Sequence, residues 1–390
     1  MRGRNLIAAA SVLGLVAAPA ARTQAQTPEP YRIGMTVAIT GPFSAGYAPT
    51  YEAYRTYFKR VNDAGGINGH PLAITYEDDR GEPQRAAAAA KKLTDGSLLL
   101  INASISPTYK PVMTEAEATK TPLLFGGGVC PREAFPPAAP LIFCTTSFGS
   151  KWDSRMALGF IKEQSAGKKV KIGFAAQDIP LSRIELEFAE QHAKELGMDT
   201  IPVIVVPGAA SDFTPFAQNL KEAGADWVFS WAPWGVEIGV FEALNRIGWK
   251  GNYILYGHQP AQDELTRLKA PNLHALTGNA MFVENLPIHA EITSLVKGQT
   301  NHPAHYMAEG WTSAMVLDAG LRKCGWPCSR EKLAQALASV SVDTKGLRGG
   351  PIEMTADNHY RKVTYYKVYR WDTAKAAIVS VGGWSKLDIK

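Results

Sequence analysis

YRIGMTVAITGPFSAGYAPTYEAYRTYFKRVNDAGGINGHPLAITYEDDRGEP, residues 31–83, is the stretch whose reading decides the fold. An apolar, β-branched run over residues 33–39 breaks at Gly41-Pro42, which is how a buried parallel strand hands over to a loop. After the loop, Tyr54, Tyr57, Phe58 and Val61 recur at helical spacing up to Gly65-Gly66, where glycine reaches positive φ cheaply and a helix can stop. A second strand over residues 72–76 follows at once. Strand, loop, helix, tight return and strand make a βαβ unit, and such units bind ligands beyond the carboxyl ends of their strands. The first loop is therefore expected to be exposed and able to bind.

Three segments, ITGPFSAGYA, NDAGGINGHPL and ITYEDDRGEPQRAAAAAKKL, follow one another in this region. Their order and spacing resemble the periplasmic solute-binding proteins of the leucine/isoleucine/valine type, which feed ABC importers. The resemblance runs from about Tyr31 to about Trp384 and is most specific between Gly41 and Ala90. It implies an α/β fold of two doubly wound parallel-sheet lobes joined by a three-crossing hinge, the type I periplasmic binding protein fold. It also implies a monomer that binds a small solute, delivers it to an inner-membrane ABC permease, and uses neither catalysis nor a cofactor.

Length and composition agree: 390 residues, 46% hydrophobic and 20% charged, exceed one ordinary core and suggest two. The formal charge of +5 does not point to nucleic acid. Residues 1–25 carry Arg2, Arg4 and Arg22 and no acid, so their removal leaves 38 basic and 36 acidic residues, and no Lys/Arg stripe is interleaved with aromatics. Those residues have the layout of a cleaved secretion signal: two arginines, the apolar core LIAAASVLGLVAA, then small residues around Ala20 and Ala25. The expected location is the periplasm. Four cysteines suit an oxidising compartment and fall into two local pairs, Cys130 with Cys144 and Cys324 with Cys328. Their spacing is poor for zinc, and the three residues between the second pair exclude a CxxC redox motif.

Further along, an alanine-rich helix opened by Pro83 precedes an apolar strand over residues 98–101. The loop NASISPTYKP then brings Ser104, Ser106 and Thr108 to a strand-to-helix handover, where hydroxyls and orphan backbone N–H groups outline a carboxylate site. A strand over 122–125 delivers the loop GGGVC, whose glycines let backbone amides approach a ligand. PLIFCTTS, residues 140–147, reads as the crossing into a second lobe. There, strands over 170–175, 201–206, 226–231 and 252–256 alternate with helices, one of them carrying Leu181, Ile184, Phe188 and Leu196 at helical period. Alternating β and α implies a parallel sheet covered on both faces. The resemblance adds a return near 281–286 and a third crossing near 349–354, giving lobes 30–145 with 283–352 and 146–282 with 353–390. His302, His305 and Glu309 lie near a helix opened by Pro303, where packing of Tyr306, Met307 and Trp311 is a plainer account than a metal site. No Walker motif, GxGxxG, GxSxG or HExxH is present, and Ser44 and Ser104 lack a recognisable base, which leaves a hydrolase without support.

For the site, the resemblance carries the carboxylate-binding hydroxyl onto Ser104 or Ser106, and the next backbone loop onto Gly127, Gly128 and Val129. Phe43 and Tyr47 are expected from the first loop, and Trp152, Asp178 and Trp234 from strand ends of the second lobe. The family position that supplies an acid to an amino acid's ammonium falls on His258, in YGHQPAQDE. Histidine cannot neutralise an ammonium, and a charge left unpaired in a closed cleft costs several kcal/mol. The expected solute is therefore an aromatic or other organic acid. An aliphatic amino acid is the alternative, with Asp178 as the substitute acid; a sensor reporting to a membrane receptor would use the same hinge.

Overall fold

The computed structural model describes residues 28–389, so the leader read in residues 1–25 lies outside the described residues. The opening βαβ unit forms as expected. Tyr31–Val37 pairs in parallel with Leu72–Asp78 on one side and Leu99–Ala103 on the other. The sheet continues with Leu123–Gly127 and Ile142–Cys144, all parallel. Its strand order reverses between Tyr31–Val37 and Leu99–Ala103. At such a switch point the two neighbouring loops leave in opposite directions and open a crevice.

The helix after the first strand begins earlier than its apolar period suggests, at Ser44, and runs to Asp63. Pro49 lies in its second turn and removes a single backbone bond there. The presumed binding loop is thus short, and Tyr47 stands on the first helical turn rather than in a loop.

A second sheet repeats the plan. Ile204–Val206, Lys171–Gln177, Trp227–Ser230, Asn252–Tyr256 and Leu273–Thr277 are parallel, with the order again reversing beside the first strand of the set, Lys171–Gln177. An antiparallel hairpin, Val363–Asp372 with Ala377–Ser380, extends it, and Ser385–Asp388 pairs with the start of that hairpin. Both sheets are flanked by helices, as an α/β doubly wound fold requires.

One expectation fails in phase. In the helix Pro180–Glu195 the buried positions are Ser182, Glu185, Leu186, Ala189 and Ala193, while Ile184 is 52% exposed. The helix turns a partly polar face inward because those polar groups have partners. Ser182 Oγ donates to the Trp231 carbonyl at 2.6 Å, and Glu185 accepts from Ser150 Oγ at 2.7 Å and Lys151 N–H at 2.6 Å.

The chain passes between the sheets at 145–147, 278–286 and again after 347. The helices Pro287–Val296, Ala308–Cys324 and Arg330–Leu337 return to the first sheet's side, where Ile292, Trp311, Leu317 and Leu333 join Tyr54, Phe58 and Ile101 in one buried apolar cluster. Both cysteine pairs are bonded, Cys130–Cys144 and Cys324–Cys328. Among the described residues no helix is long and apolar enough to cross a membrane.

Candidate functional site

The two switch points face each other. From the first lobe, Tyr47, Ile105, Ser106, Tyr109 and Val129 line a cavity whose opposite wall is Ile179, Leu181, Ser182, Trp231, Ala232, Pro233 and Tyr256. Most of these residues follow the strand pairs at which each sheet's order reverses, and Val129 and Tyr256 stand at the end of the next strand of each sheet. A second, more polar cavity adjoins it, lined by Gln259, Gln262, Thr277, Asn279, His305 and Glu309 among others. Phe148 and His258 belong to both. Each holds about 40 Å³, room for about three waters and too little for a larger solute as the lobes stand. Bonds across the mouth hold the lobes together: Gln259 Nε2 donates to the Gly46 carbonyl at 2.8 Å, and Tyr306 Oη donates to Asp263 Oδ2 at 2.9 Å.

On the first lobe the structure separates the two serines. Ser104 is buried and its hydroxyl donates to Asp79 Oδ1 at 2.8 Å, so it works inside the wall. Ser106 lines the cavity, and its buried Oγ has no protein partner. It also opens the turn, Ser106–Thr108, that leads into the helix Tyr109–Ala118, where orphan N–H groups and the helix dipole favour an anion. Thr108 is spent locally, donating to the Ile105 carbonyl at 2.8 Å, and its side chain makes no cap bond.

The glycine loop has a different role from the one expected. Gly128 has φ +88°, and a Cβ there would stand 2.7 Å from both the Ser104 carbonyl and the Tyr109 hydroxyl. Only glycine allows this approach. The amide that follows is already spent, since Val129 N–H donates to Tyr109 Oη at 2.9 Å. Gly127 lies in the strand, against Ala103 and Thr50. Of the three, Val129 alone lines the cavity, with an apolar side chain.

Asp79 lies fully buried behind Ser104, with Oδ2 unpartnered. Burial lifts its carboxyl from the usual 3.8 to about 6, against bonds from Gly81 N–H and Ser104. The folded protein therefore holds this proton more tightly than the unfolded chain. The stability of the native protein relative to Asp79→Asn should be highest below about pH 4 and fall by about 2–3 kcal/mol as pH rises through 6. Urea unfolding of both proteins at pH 4 and pH 8 checks this, and a difference that stays constant or grows with pH contradicts it.

The second lobe's wall rests on buried acids that the sequence did not reveal. Trp231 Nε1 donates to Asp153 Oδ2 at 2.9 Å, and Gly149 N–H and Tyr366 Oη donate to Oδ1. Burial, and next the neighbouring Glu185, hold Asp153 well above the usual carboxylate range. Burial likewise pushes Glu237 well up; its Oε1 accepts from Tyr256 N–H at 3.1 Å, and its Oε2 lies 3.4 Å from His258 Nε2. These buried carboxyls brace the wall through the donors aimed at them. His258 is lowered to about 4, chiefly by burial, and is neutral at pH 7.

Other residues expected at the site stand elsewhere. Trp152 is core, packed on Phe135 with ring centroids 4.6 Å apart. The Asp178 carboxylate is exposed and ion-paired with Arg183 Nε at 2.9 Å, outside the cavity lining. Phe43 covers Gly81 beside Ile105, behind the wall. Trp234 reaches the site indirectly, edge-on to His258 at 6.1 Å between ring centroids. His305 pairs with Asp263 at 3.1 Å, and Glu309 is committed to the inter-lobe segments described below. Among the described residues no group of His, Cys, Asp and Glu is placed to hold a metal. Phe148, Tyr256 and Trp231 were not anticipated; Phe148 opens a short strand, Tyr256 ends one and Trp231 follows one, and an aromatic ring at a strand end was the available signal.

The segments that pass between the lobes are tied together at one acid. Glu309, 3% exposed, accepts from Ser147 N–H at 2.6 Å, from Ser147 Oγ at 2.9 Å, from Asn279 Nδ2 and from Arg348 Nη2 at 3.2 Å. These partners come from the three segments that pass between the lobes.

Two doubly wound lobes meeting at a three-strand hinge, with a partner-poor hydroxyl in the closed cleft, define a protein that binds by closing. The chain belongs to the periplasmic binding protein family, whose sequence profile matches residues 30–376. It is 23% identical over 365 residues to Leu/Ile/Val-binding protein homolog 1 of Brucella melitensis, covering 87% of this chain and 90% of that one. Among solved structures it resembles a branched chain amino acid ABC transporter protein from Thermus thermophilus with bound valine, with a TM-score of 0.79, 16% identity and coverage of 92% and 97%. It is similar to a solute binding protein of an ABC transporter from Rhodopseudomonas palustris in complex with 3,4-dihydroxy benzoic acid, with a TM-score of 0.77, 18% identity and the same coverage. At these identities the two structures establish the shared fold.

Proposed function

We propose that this chain is the periplasmic, monomeric solute-binding component of an ABC importer and that it carries a small organic acid, aromatic in the first instance, to an inner-membrane permease. The lobes, 30–145 with 283–352 and 146–282 with 353–390, close on the solute and bury it where the two switch points meet. Closure changes the outer surface, and that surface docks on the permease.

The observation that carries the reading of the ligand is the makeup of the cleft. Ser106 offers an uncommitted hydroxyl at a helix start, and rings of Tyr47, Tyr109, Phe148, Trp231 and Tyr256 surround the apolar cavity. A carboxylate accepts from the first, and an aromatic ring packs against the second, each ring pair adding about 0.5–1.5 kcal/mol beyond burial. The names of the amino-acid-binding relatives favour an aliphatic amino acid instead. Its ammonium would need a free carboxylate, and Asp178 is paired outside the cleft while Glu309 is filled by four donors. The aromatic acid is therefore preferred.

Ser106→Ala should weaken binding of benzoate-type acids by about 10- to 100-fold, the usual worth of a hydrogen bond to a charged group. Isothermal titration calorimetry measures it directly. A thermal-shift panel of aromatic acids and amino acids tests the class, since a ligand at 100 times its Kd stabilises by about 2.7 kcal/mol. Stabilisation by leucine or valine, with none by aromatic acids, would overturn the assignment.

A further inference from the structure

His258 and Asn279 give the polar half of the cleft a definite polarity. A carbonyl oxygen can only accept, so the 3.0 Å contact between His258 Nε2 and the Ala232 carbonyl requires the proton on Nε2. In a neutral imidazole the other nitrogen, Nδ1, then bears a lone pair, and no described protein group bonds it. The ring is held in place by Phe148, Tyr256 and Trp234, at 5.1, 5.7 and 6.1 Å between centroids. It stands where the apolar and polar cavities join. A second acceptor points the same way: Asn279 spends its amide N–H on Glu309, and its buried Oδ1 has no partner. No lysine or arginine lines either cavity.

We propose that the solute carries a hydrogen-bond donor, a hydroxyl, at the end remote from its carboxylate, and that His258 Nδ1 and Asn279 Oδ1 select it. This rests on the reading of the cleft as a solute site and narrows the solute to a hydroxylated acid. With the carboxylate at Ser106 and the ring in the apolar cavity, the hydroxyl reaches the junction and finds acceptors. An ether or a bare ring edge there leaves both lone pairs buried and unmet, and a second carboxylate sets lone pair against lone pair. An ammonium donates equally well but brings a charge that no uncommitted acid in the lining of either cavity offsets. His258 thus determines specificity, replacing charge recognition with recognition of a neutral donor.

The test compares two series on the full mature chain by calorimetry: 4-hydroxybenzoate, 4-methoxybenzoate and benzoate, then 6-hydroxyhexanoate and hexanoate. The hydroxylated member of a series should bind about 10- to 100-fold tighter than its methylated or unsubstituted counterpart, the range expected when a buried acceptor loses its donor. His258→Phe should lower that ratio sharply, leaving what Asn279 Oδ1 alone supports. His258→Gln, whose amide can donate to Ala232 and still accept from the solute, should restore it. Equal binding of the methoxy or unsubstituted acids overturns the inference, as does a hydroxyl preference undiminished in His258→Phe. So does failure of both hydroxylated acids to bind. A preference confined to the aliphatic series supports it while refuting the aromatic assignment. Mass spectrometry of small molecules released from the denatured protein judges the solute-binding reading separately.

Discussion

Glu309→Ala is expected to lower folding stability by about 3–5 kcal/mol, the range for breaking a buried ion pair by removing one partner. Arg348 is only 3% exposed, and Nη2 bonds Glu309 and the Thr145 carbonyl, each at 3.2 Å, while Nε and Nη1 have no protein partner. Without the carboxylate the guanidinium stays buried with its charge uncompensated. Arg361, also buried, adds to the burden on Arg348. Ser147 N–H, Ser147 Oγ and the Asn279 amide lose an acceptor in the same step. Glu309→Gln keeps the shape and some of these bonds, so its loss should be smaller. Urea unfolding followed by fluorescence checks both, and a loss below about 1 kcal/mol for the alanine variant would show that Arg348 finds water or another acceptor. Because these bonds lie where the lobes pivot, opening moves them little. Ligand affinity in the surviving folded protein should therefore fall much less than stability.

The same cluster shows where sequence reading reached its limit. Glu309 entered only as a neighbour of His302 and His305, in a grouping read as helix packing rather than a metal site. Its real partners, Ser147, Asn279 and Arg348, are 162, 30 and 39 residues away in the chain. No periodicity encodes such contacts. The alternation of strands and helices was legible because it is local, as was the handover at Gly41-Pro42. The helix Pro180–Glu195 was found with the wrong face inward, since hydrophobic period assumes that apolar residues are buried, and here Ser182 and Glu185 are buried with partners from distant parts of the chain. The site followed the same rule. Tyr47 and Ser106 line the cleft because they follow the strands at the first switch point, and Val129 and His258 because they follow the next strand of each sheet. Trp152 and Asp178 also follow strands, yet one turns into the core and the other toward Arg183, a choice that depends on packing across the sheet.

Loss of the Cys130–Cys144 bond should cost about 3 kcal/mol, and its effect should extend to the cleft. In the chain-entropy account a bridge stabilises by restricting the unfolded chain, and a closed loop of about 15 residues is worth about 3 kcal/mol. The two cysteines are 14 residues apart, against 4 for Cys324–Cys328, whose smaller loop gives about 2 kcal/mol by the same relation. Position separates them further. Cys130 and Cys144 are fully buried, and Val129–Cys130 pairs in parallel with Phe148–Gly149. The bridge therefore fixes the loop carrying Gly128 and Val129 to the first inter-lobe segment, the one that places Phe148 in both cavities. A Cys130→Ala/Cys144→Ala variant should lose stability and also bind its solute more weakly, because the cleft must be ordered on binding rather than beforehand. Cys324→Ala/Cys328→Ala, on a turn remote from the cleft, should lose stability alone. Thermal unfolding and calorimetry on the two double variants make the comparison. Equal affinities in the two would place the Cys130–Cys144 bond among purely structural cross-links.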